Sequence, residues 1–185
     1  MPQINIQKWS EWLGIETFDD PELIKMVEAC GRFCMAVKYQ QSPRWISMLG
    51  VTGVGKTHSA NRMWNWAEPR FNWSKCQYIH SKIYWPAFIS GLKSNQNYDM
   101  LSEMWSWPML FLDDIGAERD TSGFAAEQLN TLLGQRVGKW TIITSNLMVG
   151  QIANIDPRMA DRIIREPGNE FVQIKTKSYA LRQKT

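Results

Sequence analysis

From Asp20 the chain sets out on a helical pattern. Leu23, Met26, Val27, Cys30, Phe33, Cys34 and Val37 recur three and four positions apart, which gives a helix over residues 21–40 one apolar face. Asp20 stands as its N-cap and Pro21 at its first position. Beyond residue 40 the pattern changes. Apolar runs at 45–49, 76–80, 109–113, 140–144 and 170–174 predict strands. The segments between them, 56–67, 82–93, 98–106, 123–137 and 157–165, read as helices, the last started by another cap-and-proline pair, Asp156-Pro157. Strands alternating with helices predict an α/β fold, a five-stranded parallel sheet flanked by helices. Met109-Leu110-Phe111-Leu112 and Thr141-Ile142-Ile143 are unbroken apolar runs, as strands covered on both faces require. Phe171-Val172-Gln173-Ile174-Lys175 is mixed and fits a strand nearer an edge.

Composition narrows the picture. A chain of 185 residues is one domain with room for a core. It contains no run of 18 apolar residues, so no membrane partner is expected. Three cysteines and the lack of a charged-then-apolar leader predict a reducing, cytoplasmic setting. Cys30 and Cys34 sit one helical turn apart and read as buried helix face rather than as metal ligands, since no C-x-x-C pair accompanies them. Ten tryptophans are many for this length; Trp64, Trp66, Trp73, Trp85, Trp105 and Trp107 cluster in the middle of the chain. Core packing is the default for them, with base stacking or partner docking for any left exposed.

The net charge of +3 conceals segregation. Residues 29–98 carry nine bases and one acid, while residues 99–127 carry seven acids and one base. The first of these segments holds Gly50-Val51-Thr52-Gly53-Val54-Gly55-Lys56-Thr57, a G-x-x-x-x-G-K-T between a predicted strand and a predicted helix. That is the context a P-loop needs. The backbone from Gly50 through Thr52, Gly53, Val54 and Gly55 can wrap a phosphate, Lys56 can reach the β- and γ-phosphates, and the Thr57 hydroxyl can bind Mg²⁺. ATP and Mg²⁺ are therefore the expected ligands.

Two further strands end in polar residues. Met109–Leu112 runs into Asp113-Asp114, a Walker B pattern in which Asp113 would hold Mg²⁺ and Asp114 would orient or deprotonate the attacking water. Thr141–Ser145 runs into Asn146, which either reaches the γ-phosphate or caps a turn. Arg158 and Arg162 lie four apart on one predicted helix, either paired on the surface or reaching a nucleotide held by a neighbouring subunit. In the basic segment, Lys82, Tyr84, Trp85 and Lys93 are candidates for contact with single-stranded DNA.

Taken together, Gly50–Thr57 with His58, Leu112-Asp113-Asp114-Ile115-Gly116-Ala117-Glu118, Thr141–Leu147 and Arg158–Ile163 resemble the DnaC/DnaI-type helicase loaders and the related IstB transposition helper ATPases. Both groups are AAA+ proteins of the initiator clade. The resemblance covers about residues 20–175 and implies an AAA+ core over 21–175, between a short extension at 1–20 and a basic tail at 176–185. It implies Walker A roles for Lys56 and Thr57, with His58 beside them. It implies Walker B roles for Asp113 and Asp114, sensor 1 for Asn146 and an arginine finger at Arg162, where Asp161 replaces the usual serine and leaves Arg158 a rival. Only about ten residues follow the last predicted strand, so a full helical lid is not expected, and Arg182 could stand in for its sensor 2 arginine. The implied function is ATP-dependent loading of a hexameric replicative helicase onto single-stranded DNA by a head-to-tail oligomer. An IstB-like helper acting with a transposase on DNA is the alternative. A small-molecule kinase and an ATP-sensing module that does not hydrolyse are further rivals.

Overall fold

The structure is a computed structural model that describes residues 3–71, 82–118, 120–165 and 169–182, without the side chains of Arg165, Ala180 and Arg182. Five strands make one sheet: β1 (Trp45–Gly50), β2 (Lys82–Tyr84), β3 (Met109–Asp113), β4 (Trp140–Ser145) and β5 (Asn169–Ile174). Their order is β2-β3-β4-β1-β5, and every pairing is parallel. The mixed strand β5 lies at an edge, as its sequence suggested. β1, β3 and β4 occupy the middle and are buried along almost their whole length.

Helices cover both faces: α1 (Ile6–Leu13), α2 (Pro21–Tyr39), α3 (Lys56–Ala67), α4 (Trp85–Lys93), α5 (Tyr98–Glu103), α6 (Phe124–Gln135), α7 (Val149–Ile155), α8 (Pro157–Arg165) and α9 (Tyr179–Arg182). Asp20 caps α2 by accepting from the N–H groups of Glu22 and Leu23, a device worth about 1 kcal/mol. The predicted apolar face of α2 is buried, Cys30 and Cys34 included. It packs with α3 against Met48, Met109, Phe111 and Ile142. On the other face α4, α6 and α8 close over Leu49, Leu110, Leu112 and Ile143.

A charged side chain lies buried between α6 and the sheet. Arg136, fully buried, gives hydrogen bonds to the carbonyls of Met104, Trp107 and Trp140 and to the Thr141 hydroxyl at 2.6–3.1 Å. A planar guanidinium can satisfy several fixed acceptors at once. It thereby ties the end of α6 and the start of β4 to the loop before β3. Burial still pushes its pKa down to about 9.

Several sequence expectations change. Residues 82–93, read as one helix, are a strand followed by a helix. Ile83 is buried between exposed Lys82 and Tyr84, the alternation of an edge strand, and Pro86 starts α4. The strand expected at 76–80 and Trp73 lie outside the described residues. Helix α1 forms within residues 1–20, where a plain extension was expected, and α7 was not foreseen. Among the described residues no helix is long and apolar enough to cross a membrane.

Candidate active site

The P-loop leaves β1 at Gly50, whose φ of 121° is open to glycine and strained for other residues. A Cβ there would lie 1.9 Å from the Ile174 carbonyl oxygen, and that same oxygen accepts from Val51 N–H at 3.0 Å. The loop is thus seated on edge strand β5. Its far side is held from the tail, where Tyr179 N–H donates to the Gly53 carbonyl at 2.9 Å. The tail is anchored in turn: Lys175 and Thr176 N–H both donate to Glu22, and the Thr176 hydroxyl bonds Asp20.

At the carboxyl ends of β1, β3 and β4 the predicted residues converge. Lys56 is buried, and its Nζ donates to the carbonyls of Gly50 (2.8 Å) and Val51 (2.7 Å) and to Asn146 Oδ1 (3.0 Å). Asn146 Nδ2 in turn donates to Asp114 Oδ1 at 2.6 Å. One amide therefore links the P-loop lysine to the second acid of β3. Asp113 Oδ1 accepts from Thr57 Oγ1 at 2.9 Å and from Thr144 Oγ1 at 2.6 Å. The Thr144 hydroxyl also accepts from Asp114 N–H at 3.0 Å, holding that residue at φ 61°. Around these groups lies a cavity of about 270 Å³, lined also by Thr52, Gly53, Gly55, His58 and Tyr84.

Burial and charge set the protonation of this cluster. Burial pushes Lys56 down to about 8, against the attraction of Asp114 and Asp113. Burial and then the neighbouring Asp113 raise Asp114, with Lys56 opposing. A carboxyl raised toward neutral pH is better matched to accepting a proton than an ordinary one.

Thr144 was not singled out from the sequence. The signal was available, since Thr144 lies near the end of the same strand that delivers Asn146 to the site, at the carboxyl end where ligands bind. Glu118, the last residue of Asp-Asp-Ile-Gly-Ala-Glu, also has a visible task. It folds back to accept from Gly116 N–H at 2.8 Å and from the Trp85 indole at 3.2 Å. Burial lifts its carboxyl above the usual range in spite of these donors.

That indole overturns one expectation. Trp85 is 0% exposed, with its ring beside Phe88 and its N–H on Glu118, so it cannot stack on a nucleic-acid base. Lys93 forms an ion pair with Asp120 at 3.3 Å. Lys82 bonds Asn61 and lies over the Phe111 ring, and exposed Tyr84 borders the cavity. Of the four expected DNA-contact residues, Trp85 therefore drops out, while Lys82, Tyr84 and Lys93 stay at the surface. Of the other tryptophans, Trp45, Trp64, Trp107 and Trp140 are core, while Trp105 is partly exposed.

A second, apolar cavity of about 330 Å³ adjoins the first, sharing Gly53, Gly55 and His58, and is walled by Ile15, Leu23, Val54 and Tyr179. His58 Nε2 bonds the Leu13 carbonyl at 2.8 Å, which ties the P-loop helix to the end of α1. The arginines lie elsewhere. Arg158 and Arg162 border a polar cavity of about 470 Å³ between α6 and α8 that shares no residue with the P-loop cavity. Arg158 is tied to Asp156 at 3.0 Å and its side chain is 77% exposed; Arg162 donates to the Asn130 carbonyl at 2.8 Å. Asn130 also holds Asp156, through Nδ2 at 2.7 Å. The side chain of Arg182 lies outside the described residues.

Comparison with known proteins agrees with this fold. The family model of the bacterial DnaA ATPase domain matches residues 31–166. The replicative helicase loader DnaI of Bacillus subtilis (strain 168) is 28% identical over 133 residues, 69% of this chain and 41% of that protein. The chain thus spans well under half of that loader's length. A crystal structure of DnaI superposes with a TM-score of 0.65 at 24% identity, covering 96% of this chain and 93% of that one. The replication initiator DnaA bound to AMPPCP and single-stranded DNA gives 0.59 at 19% identity, over 82% of this chain and 46% of that one. At these identities the solved structures speak for the fold.

Proposed function

The chain belongs to the bacterial DnaA ATPase-domain family, and from that premise we propose that it is an ATP-hydrolysing switch that loads a replicative hexameric helicase onto single-stranded DNA. The observation that carries the nucleotide reading is the bonded chain Lys56–Asn146–Asp114 at the mouth of the P-loop. It joins the group that meets the γ-phosphate to the group that meets the attacking water, so both respond to one bound molecule. The triphosphate lies along Gly50–Thr57, where Lys56 exchanges a carbonyl partner for phosphate oxygen. The base enters the apolar cavity between Ile15, Val54 and Tyr179.

Mg²⁺ fits the oxygen set present. Thr57 Oγ1 and Asp113 Oδ1 are hard donors 2.9 Å apart, and one or two protein oxygens with phosphates and water are the usual complement for this ion. When bound it neutralises charge on the β- and γ-phosphates. Asp114, its carboxyl raised by burial, takes the proton of the attacking water. Asn146 fixes where that carboxylate points.

The arginines act in a neighbouring copy. Arg162, with Arg158 as its rival, stabilises the charge that develops on the γ-phosphate of the next subunit in a head-to-tail assembly. Their separation from the P-loop cavity within one chain supports this arrangement. The helicase and single-stranded DNA are assigned on the likeness to the loader and to the DNA-bound initiator. The test mixes the chain with a hexameric replicative helicase, single-stranded DNA and ATP. Co-elution that needs ATP and fails for Lys56→Ala is the expected result. Failure with every helicase tried, alongside intact ATP hydrolysis, sinks the loader reading and leaves the ATPase.

A further inference from the structure

Beside α1 lies a groove of about 840 Å³, which adjoins the apolar cavity next to the P-loop and shares Gly14, Ile15, Glu16 and Tyr179 with it. Its floor is apolar, formed by Ile6, Ile15, Phe18 and Tyr179, and its rim carries Glu11 and Glu16. Among its lining residues there is no Lys or Arg. The groove is set firmly in the fold. α1 lies so close on α2 that a Cβ at Gly31 would meet Ile4 at 3.0 Å and Trp9 at 3.3 Å, while Arg62 of α3 covers the Trp12 ring at 5.6 Å. The face of α1 that borders the groove, with Gln7, Ser10 and Glu11, is turned away from those contacts.

Three features mark this groove as a place for a partner. Phe18 and Asp19 are consecutive non-glycine residues in the left-handed region, at φ 48° and 55°. That strained backbone holds a phenylalanine 53% exposed beside the 41% exposed Tyr179, the two ring centroids 6.2 Å apart. Ser10 Oγ, screened from solvent, has no hydrogen-bond partner among the described residues. The charge is one-sided as well: Glu11 and Glu16 line the groove, and no lysine or arginine does so among the described residues. An apolar trough with an acidic rim complements a helix that has large apolar residues at i, i+3/i+4 and i+7 and lysine or arginine alongside.

We propose that this groove docks a basic amphipathic helix of a partner protein. Although the groove adjoins the apolar cavity, the two residues that test it, Phe18 and Glu11, line neither that cavity nor the P-loop cavity, so its failure and that of the ATPase reading are distinguishable. The test titrates the full chain into three labelled synthetic peptides and follows fluorescence anisotropy. One is an 18-residue helix with leucine and phenylalanine on one face and lysine on its flanks. The second has the same apolar face with glutamate flanks, and the third is a scramble of the first. Binding by the lysine peptide alone, weakened about tenfold or more by Phe18→Ser and by Glu11→Lys, is the expected result. Binding of nucleotide to both variants, measured in parallel, stays at the wild-type level and shows that they are folded. Equal binding of the lysine and glutamate peptides, binding indifferent to both substitutions, or no binding overturns the proposal. So does a concentration-dependent dimer that Phe18→Ser dissolves, which assigns the groove to a second copy of the chain.

Discussion

The P-loop cavity and the Arg158 side of the arginine cavity are built on opposite plans. In the first, every charged group is held by residues distant in sequence: Lys56 by Asn146, Asp113 by Thr57 and Thr144, Asp114 by Asn146. In the second, Arg158 is bonded to Asp156, two residues away, and its side chain stays largely in solvent. The bond from Arg158 also holds the Asp156 carboxyl below the usual range. Long-range bonds between strand ends fix geometry before a ligand arrives. A local pair on a helix surface can be exchanged at small cost, since exposed ion pairs are worth about 0–1 kcal/mol. One half of the proposed site is made to hold, the other to reach.

The sharpest way to break this comparison is at the reaching half. Arg162→Ala or Arg158→Ala should lower ATP hydrolysis by roughly 10³-fold or more in the assembled state, for whichever residue is the finger. Mixing that variant with Lys56→Ala should restore part of the rate. Unchanged rates for both arginine variants would end the shared-site reading. At the holding half, Asp114→Asn should cost about 10²–10⁴-fold in kcat. In the wild-type chain hydrolysis should rise with pH through the raised Asp114 pKa, and the substitution should remove that acid limb. A profile unchanged by Asp114→Asn would take proton transfer away from this residue.

Smaller effects probe the supports. Thr144→Val keeps the shape but removes the hydroxyl between Asp113 and Asp114 N–H. Urea denaturation should report a loss of about 1.5–3 kcal/mol, together with slower hydrolysis. Stability lost without any change in rate would make Thr144 a purely structural bond. Least is expected from Asp120, which ties Lys93 to the first turn of α6 through Ser122 and Ala125 N–H. Burial works to raise its pKa, but those donors hold it down to about 2. A depressed carboxyl stabilises the fold above its ordinary pKa near ~4 and loses that contribution as pH falls through the depressed value. Asp120→Ala should therefore cost about 1–2 kcal/mol at pH 7 and progressively less toward pH 2. An equal cost at both pH values would show that charge is not the cause.

Much of this was legible because the signals are local. A glycine-rich loop between strand and helix, and acids or amides at strand ends, announce their positions in a few consecutive residues. The sheet followed from apolar runs such as Met109–Leu112, and the edge place of β5 from its mixed pattern. Trp85 was misread because sequence alone cannot tell an aromatic that faces solvent from one whose indole meets a carboxylate 33 residues away. Residues 82–84 were misread for want of length, since three residues give too little alternation to separate a strand from a helix start. Helix α1 was missed although Ile6, Trp9 and Leu13 stand at helical spacing, because its eight residues make only about two turns to read. The groove beside it depends on Phe18, Ile15 and Tyr179 meeting across the whole chain, which no local pattern records.

The sheet order also governs how the protein is made. β1, which leads into the P-loop, pairs only with β4 and β5, whose first residues are Trp140 and Asn169. At ribosomal rates of about 5–20 residues per second, β1 leaves the ribosome with both edges bare for roughly 5–20 s before β4 exists. The strand that comes first in synthesis is among the last to be flanked, and its sequence, Trp-Ile-Ser-Met-Leu, is apolar enough to attract other chains in the interval. A nascent chain stalled before Ile174 lacks the carbonyl on which Gly50 and Val51 rest. The phosphate loop is therefore completed only once Ile174 has been made, more than 120 residues after Gly50, and recovery of active protein should depend on how well the growing chain is shielded until then.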